Sequence, residues 1–426
     1  VRVLLITQWF EPEPMLKGLL LARELKAMGY EVEVLTGFPN YPGGVIYPGY
    51  RLKAFQKETI EGISVTRVPL YPSHSRSAIG RVFNYLSFAA AAAIYGMLQR
   101  KRFDVAYVYH PPLTVGMAAA AIGLVHRVPF VYDIQDLWPD TLESTGMMPN
   151  RRALAIVASA CRLVYRRATV IIAQSPGFEK RLLERGVPRH KLHMIYNWCD
   201  ETALAATNQA GQVPPGMRGR FNIVFAGNMG QAQALDAVVL AAAQAHAADA
   251  RIQFVFVGGG VQVRQLREMV AAQGLGDAVL FLPRVPINEV GVILRAADAL
   301  LVHLRDDHLF SITVPSKTQA YLFSGKPILM AVRGDAADLV KQADAGVCAE
   351  PEDPESIAKA AIRLASMEPD ALAGMGIRGK VFYDENLSIK VGVARLATLL
   401  EQAGNAKSEE ALFGKKGERP ASSTRT

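Results

Sequence analysis

A chain of 426 residues exceeds one typical domain, and two domains of about 150–200 residues each are the default; half of it is hydrophobic and a fifth charged, a balance that suits a globular protein with large buried sheets. The formal net charge of +8 is unevenly placed: residues 1–200 carry 24 Lys/Arg against 15 Asp/Glu and residues 201–426 carry 23 against 24, so an anionic partner surface is expected to meet the first half. Cys161, Cys199 and Cys348 are widely spaced and form no CxxC pair, which argues against a zinc site or a disulfide framework and for a reducing compartment.

The chain opens on an apolar strand, Val3-Leu4-Leu5-Ile6, and no signal segment is expected ahead of it. Apolar runs then alternate with helical patterns, the signature of parallel sheets covered by helices on both faces. Strands are predicted at 2–7, 31–36, 63–68, 104–109, 128–133 and 169–173, with an amphipathic helix over about 18–28 closed by Gly29. The alanine-rich stretch from Val82 to Leu98 contains Asn84 and Ser87 and sits at the short limit for a membrane span, so a buried or interfacial helix is the expectation. Residues 201–220 are polar and rich in Pro and Gly and read as a linker. A second series follows, with strands at 222–226, 252–257, 278–282, 298–303, 327–331 and 346–349. A helix is expected at 388–403 and a disordered polar tail at 404–426. The expected fold is α/β: two doubly wound Rossmann-like domains, 1–200 and 221–387.

In such sheets ligands bind beyond the carboxyl ends of the strands, where free N–H groups attract phosphate. The first strand-end loop carries Lys17 and Gly18 just before a helix, either an anion site or an ordinary turn. His110 ends another strand and is either structural or a substrate contact. The segment Tyr132 to Asp140 follows a strand with three carboxylates; Asp136 is a candidate to hold an acceptor hydroxyl, and capping accounts equally well for one of the three. Gly227, Asn228 and Gly230 follow the first strand of the second series, where a phosphate loop and a simple tight turn look alike. Gly258-Gly259-Gly260 ends the next strand, but Val263 breaks the GxGxxG pattern of a dinucleotide site. In Val314-Pro315-Ser316-Lys317, a lysine in the first turn opposes the helix dipole, a placement more easily explained by an anion lying between them.

Over 151–167 the helical wheel gathers Arg151, Arg152, Arg162, Arg166 and Arg167 on one side and Leu154, Val157, Cys161, Val164 and Tyr165 on the other. Such a helix can pack its apolar face on a sheet and turn its arginines to an anionic membrane. No nucleic-acid reader motif accompanies it, and no nucleic-acid partner is expected.

Taken together and in order, QWFEPEPMLKG, VLTGFPNYPGG, YDIQDLWPD, SPGFEKRLLERGVP, IYNWCD, FAGNMGQAQALD, VGGG and VPSKTQAYLFSGKPI resemble the retaining glycosyltransferases of the two-Rossmann-domain (GT-B) class, in their large fourth sequence family, over roughly residues 2–403. The versions QWFEPEP, FPNYPGG, DIQDLWPDT and PSKTQAYL are most similar to the L-fucosamine transferases of O-antigen and capsule assembly. The resemblance implies a nucleotide-sugar donor, such as a UDP-sugar, held mainly by the second domain, with transfer in the cleft between the domains. It implies that Gly227, Asn228 and Gly230 form the phosphate loop, with Gly258 in the same donor-binding set. Ser316 and Lys317 would hold the diphosphate, Arg284 and Val285 would meet the base, Gly18 would match the first-domain glycine loop, and Asp136 would lie on the acceptor side.

One departure matters. Where many relatives carry two glutamates eight positions apart, this chain has Ile312 and Ala320, so ribose recognition is expected from Asp306 or Asp307. The chemistry implied is a retaining transfer without a metal or other cofactor, in which Lys17, Lys317 and backbone amides stabilise charge on the leaving diphosphate. The donor's own phosphate oxygen would take the acceptor proton, as proposed for the family. The expected acceptor is a polyprenyl-diphosphate-linked saccharide, met by a cytoplasmic protein held peripherally on the inner face of the plasma membrane. A nucleotide-sugar epimerase of the same fold and a non-catalytic nucleotide-binding membrane scaffold are the alternatives.

Overall fold

The computed structural model describes residues 1–73, 78–100, 102–144, 148, 150–205 and 213–413, with the side chains of Ala78 and of 406–413 excepted. The chain forms two compact units, one made of 1–173, 179–195 and the chain from Val393 on, the other of 174–178 and 196–392. The first unit is therefore not the continuous stretch 1–200 expected from sequence.

In the first unit the strands are β1 (Arg2–Ile6), β2 (Glu31–Gly37), β3 (Gln56–Ile60), β4 (Ile63–Val68), β5 (Val105–Tyr109), β6 (Phe130–Ile134), β7 (Val170–Ala173) and β8 (Leu192–Met194). They make one eight-stranded sheet in the order β3-β4-β2-β1-β5-β6-β7-β8. Every pair is parallel except β3 with β4. The central strands β5 (VAYVY) and β6 (FVYDI) are buried at every position, as a sheet covered on both faces requires. β3 and β8 were absent from the sequence expectation. β3 is a polar edge strand, QKETI, turned onto β4 through Glu61 and Gly62, both at positive φ; β8 is only three residues long.

Helix Ala78–Leu98 turns Asn84, Phe88, Ala89 and Ala92 inward and leaves Val82, Phe83, Leu86 and Ile94 exposed. Among the described residues no helix is long and apolar enough to cross a membrane. Helix Arg151–Arg167 starts at Asn150, whose side chain accepts the N–H groups of Arg152 and Ala153. Its Leu154, Cys161, Val164 and Tyr165 are buried, and all five arginines are exposed.

The second unit contains β9 (Phe221–Asn228), β10 (Ile252–Gly259), β11 (Val279–Leu282), β12 (Ala299–His303), β13 (Ile328–Ala331) and β14 (Gly346–Cys348). These form a parallel six-stranded sheet in the order β11-β10-β9-β12-β13-β14. Helices Leu235–Ala248 and Pro354–Ala365 cover one face through a core that includes Leu235, Val239, Ile357 and Leu364. The other face is packed by Leu294, Tyr321, Leu339 and Tyr383.

Two boundaries differ from the sequence expectation. Residues 201–205 of the expected linker are helical with Leu204 buried, while 206–212 lie outside the described residues. The last helix, Ile389–Phe413, continues past 403 because Ala, Lys, Glu and Leu there favour helix, so the expected disorder does not begin at 404. Residues 414–426 lie outside the described residues.

Candidate active site

Each sheet reverses its strand order once, at β1/β5 in the first unit and at β9/β12 in the second. Loops leaving the carboxyl ends of those strands flank a crevice in folds of this kind. Lys17, Gly18 and His110 fall on such loops in the first unit, and Gly230, Asp306 and Asp307 in the second; Asp136 follows the neighbouring strand β6, and Arg284 and Val285 follow β11.

In the second unit, β9 and β10 stay paired to their ends, with Gly227 opposite Gly258 and Asn228 opposite Gly259. Gly227, Gly258 and Gly260 all have positive φ, at 144°, 136° and 152°. A Cβ at Gly258 would stand 2.1 Å from the Gly227 carbonyl oxygen, and one at Gly260 would stand 2.3 Å from that of Met229. Gly258 thus serves the strand pair directly, by letting two backbones meet. Beyond it, the Met229 N–H donates to the Gly259 carbonyl at 2.7 Å, and the Gly230 N–H donates to Oε1 of Gln233 at 3.0 Å. Asn228 is exposed beside this turn.

Helix Ser316–Ser324 enters the same region after Pro315, its N-cap. In its first turn the Thr318 N–H donates to the Pro315 carbonyl at 2.8 Å, and Ser316 is exposed. The Lys317 ammonium is buried and makes no hydrogen bond among the described residues. It lies 3.5 Å above the centroid of the Phe225 ring, and 3.6 Å from where a Cβ at Gly227 would stand. Burial without a counter-ion lowers its pKa to about 7. The aromatic face offsets only part of that desolvation. Tyr321, one turn on, fixes the helix to β9: the Ala226 N–H donates to its hydroxyl at 2.8 Å.

Asp306 and Asp307 are both engaged within the chain. Asp306 pairs with Arg333, which also binds Glu350 at 2.7 Å, and Asp307 caps helix His308–Ser311 by accepting the Leu309 N–H at 2.8 Å. The ribose role expected of them meets carboxylates that already have partners. His303 ties the neighbouring loops together: Nδ1 donates to the Gln233 carbonyl at 2.6 Å and Nε2 accepts the Glu352 N–H at 3.0 Å. Ile312 packs against Gly177, and its carbonyl accepts the Ser175 hydroxyl at 2.6 Å; Ala320 packs on the core. Arg284 is exposed just past β11 and Val285 is half-buried.

In the first unit the geometry corrects the expectation for Lys17 and Gly18. Lys17 is 1% exposed and its ammonium binds Oδ2 of Asp133, itself 1% exposed, at 2.7 Å. Tyr107 donates its hydroxyl to the same oxygen at 2.6 Å, and Gln135 donates to the other. At the helix start, Glu11 Oε2 already accepts the Leu19 N–H at 3.1 Å and lies 3.0 Å from where a Cβ at Gly18 would stand. The cation and the helix N-terminus of this loop are thus met by carboxylates of the chain. Glu13 holds the loop as well, accepting the N–H groups of Asn40 and Tyr41 at 2.7 Å and of Phe10 at 3.1 Å; burial pushes its pKa to about 7.

Asp136 stands apart from this network. Its carboxylate accepts no hydrogen bond among the described residues, and burial raises its pKa to about 6. Its own N–H donates to His110 Nδ1 at 3.3 Å, so the proton of the neutral imidazole sits on Nε2. Burial pulls the His110 pKa down to about 3, which keeps the ring neutral. An aromatic row leads to it. Tyr41 lies 4.7 Å from Trp9, Trp9 6.5 Å from Tyr85, Tyr85 6.2 Å from Trp138, and Trp138 5.8 Å from His110. These faces suit the C–H face of a sugar, and the neighbouring carboxylate can accept from a hydroxyl. Sequence reasoning missed Tyr85, Trp9 and Phe225; the strand-end position of Trp9 was a signal, whereas Tyr85 lies inside a helix and Phe225 inside β9. Among the described residues no three His, Cys, Asp or Glu side chains gather to hold a metal.

Residues 19–198 match the family model described as a glycosyl transferase 4-like domain, and residues 220–367 match that of the glycosyl transferases group 1. WcaI of Escherichia coli K12, a glycosyl transferase assigned to colanic acid biosynthesis, is 26% identical over 366 residues, covering 81% of this chain and 86% of WcaI. The fold is shared with Anabaena Alr3699/HepE, solved with UDP-glucose, at TM-score 0.67 and 15% identity over 94% of this chain and 99% of that one. It is shared also with WaaG, a glycosyltransferase involved in lipopolysaccharide biosynthesis, at TM-score 0.62 and 13% identity over 93% and 99%. With one glycosyltransferase family model on each of its two Rossmann-like units, the chain belongs to the GT-B glycosyltransferases.

Proposed function

We propose that the chain transfers a sugar from a UDP-sugar to a polyprenyl-diphosphate-linked saccharide, with retention and without a metal, in the assembly of a surface polysaccharide. An N-acetylated amino-deoxy sugar such as L-fucosamine is the proposed donor sugar. The observation that carries this reading is Lys317: a buried ammonium without a counter-ion, at the start of a helix and beside a glycine loop. Burying a charge unpaired is costly, and a ligand diphosphate beside it relieves that cost. HepE, solved with UDP-glucose, and WcaI and WaaG, named for polysaccharide assembly, point the same way.

In this reading Gly227, Asn228, Gly230 and Ser316 hold the diphosphate, and Lys317 stabilises the negative charge that grows as the glycosidic C–O bond breaks. Arg284 and Val285 meet the base. Asp136 orients the acceptor hydroxyl, whose proton passes to the departing phosphate oxygen. The exposed arginines of helix Arg151–Arg167 hold the first unit on the anionic inner face of the plasma membrane.

The test is incubation with a panel of UDP-sugars, with and without a lipid-diphosphate saccharide, followed by NMR of the product. The expected result is acceptor-dependent release of UDP and a product with the donor's anomeric configuration. An inverted anomer would remove the retention; isomerisation of the donor without acceptor would remove the transfer.

A further inference from the structure

The first unit also carries an apolar groove of about 270 Å³ between helices Ala78–Leu98, Leu113–His126 and Arg151–Arg167. Val82, Leu86, Met117, Ile156, Val157 and Ala160 form its walls. Ile156 is 71% exposed at the rim, and Phe83, next to the wall residue Val82, is 59% exposed. An apolar trench with such an apolar margin is the kind of surface that a ligand or partner covers.

Its charge lies at one place only. Arg81 lines the groove and has no carboxylate partner among the described residues. Tyr85 and Trp138 line it too, and both belong to the aromatic row that ends at His110 beside Asp136. Hydrocarbon wall, guanidinium, Tyr85 and Trp138 thus line one groove, and the aromatic row runs on from it to His110 beside Asp136. A ligand that matches them carries a hydrocarbon chain, an anionic group and a sugar in that order. We propose that this groove binds the isoprenoid chain next to the diphosphate of the lipid-linked acceptor, with Arg81 paired to that diphosphate and the saccharide carried past Tyr85 and Trp138 toward Asp136. The proposal rests on the lipid-linked acceptor named above, and the groove gives that acceptor a seat on this chain.

Equilibrium dialysis of the full chain tests it with inorganic diphosphate and with dimethylallyl, geranyl, farnesyl and geranylgeranyl diphosphates, each below its micelle concentration. Affinity is expected to rise at least about tenfold from dimethylallyl to geranylgeranyl diphosphate, since each added unit buries more hydrocarbon. Ala160→Trp, which fills the groove, should abolish that rise, and Val157→Asp provides a second route if the first variant misfolds. Both variants should keep wild-type UDP binding and far-UV circular dichroism. Arg81→Gln should weaken every prenyl diphosphate by a similar factor and leave the chain-length rise in place. A flat chain-length series, or a rise that survives both groove variants, would overturn the proposal. So would dihexanoyl phosphatidylglycerol binding as tightly as farnesyl diphosphate in a manner lost in Ala160→Trp, because the occupant would then be a bilayer acyl chain. If prenyl diphosphates bind as expected but no saccharide-lipid is glycosylated, the groove assignment stands and the acceptor assignment falls.

Discussion

At the scale of the residue, Lys317 gives two linked expectations. With its pKa lowered to about 7, Lys317 in the free protein is mostly the neutral amine at pH 8, and a bound diphosphate returns it to the charged ammonium. UDP binding at pH 8 should therefore take up close to one proton, read as the dependence of calorimetric heat on buffer ionisation enthalpy; Lys317→Arg should bind without that uptake. Lys317→Ala should weaken UDP by about tenfold or more, because a charge-assisted contact worth roughly 1.5–3 kcal/mol is lost. Identical affinities would remove Lys317 from the diphosphate site. For Asp136 the sign runs the other way. Its carboxyl is raised to about 6, so the anion is lost as pH falls through that value. The kcat/KM for acceptor should fall along an acid limb near pH 6, and Asp136→Asn should lower kcat at least about tenfold while abolishing the limb. A limb that persists in Asp136→Asn would assign it to another group. Sequence singled out Lys317 and Asp136, but it gave Lys17 the same role as Lys317. What separates the two lysines is Asp133, 116 residues from Lys17 in sequence, and no local pattern carries that distance.

Elements show where such patterns suffice. Parallel strands buried on both faces are continuous apolar runs, so Val105–Tyr109 and Phe130–Ile134 were legible, while the polar edge strand Gln56–Ile60 was not. The triple glycine at the end of β10 was legible as backbone freedom but not as the identity of what approaches. Two adjacent substitutions separate these. Gly258→Ala puts a methyl 2.1 Å from a carbonyl oxygen at φ 136°, whereas Gly259→Ala meets nothing within 4 Å. The first should cost about 1–3 kcal/mol or more and impair UDP binding, and the second should melt within a degree or two of wild type, by calorimetry and UDP titration. Equal melting temperatures would mean that the strand ends yield freely.

For the whole molecule, charge placement dominates. Excess cations are confined to residues 1–200, and the five arginines of helix Arg151–Arg167 are exposed together. Near an anionic bilayer each contributes about 1 kcal/mol, screened by salt. The full chain should float with phosphatidylglycerol vesicles at low ionic strength and be largely released at high salt. Replacing Arg151, Arg152, Arg166 and Arg167 with Gln should lower transfer to lipid-linked acceptor far more than UDP binding. Flotation indifferent to both would leave the apolar rim of helix Ala78–Leu98 as the anchor. EDTA should leave transfer intact; loss restored by magnesium or manganese would introduce a metal on the diphosphate.

The first unit is built from both ends of the described chain. Tyr30, in the loop before β2, donates its hydroxyl to Glu401 at 2.6 Å, and Leu396, Leu400 and Ala403 of the last helix are buried. During synthesis, strands β1 to β8 leave the ribosome long before that helix exists. The intervening stretch of roughly 200 residues takes on the order of 10–40 s to make at typical elongation rates. For that interval the early unit lacks one of its own walls, and residues 196–392, contiguous but for a five-residue piece, can be complete first. The order of completion is then the reverse of the order of emergence. Released chains truncated near residue 390 should be digested by protease in the N-terminal unit first, and released chains extended through residue 413 should resist.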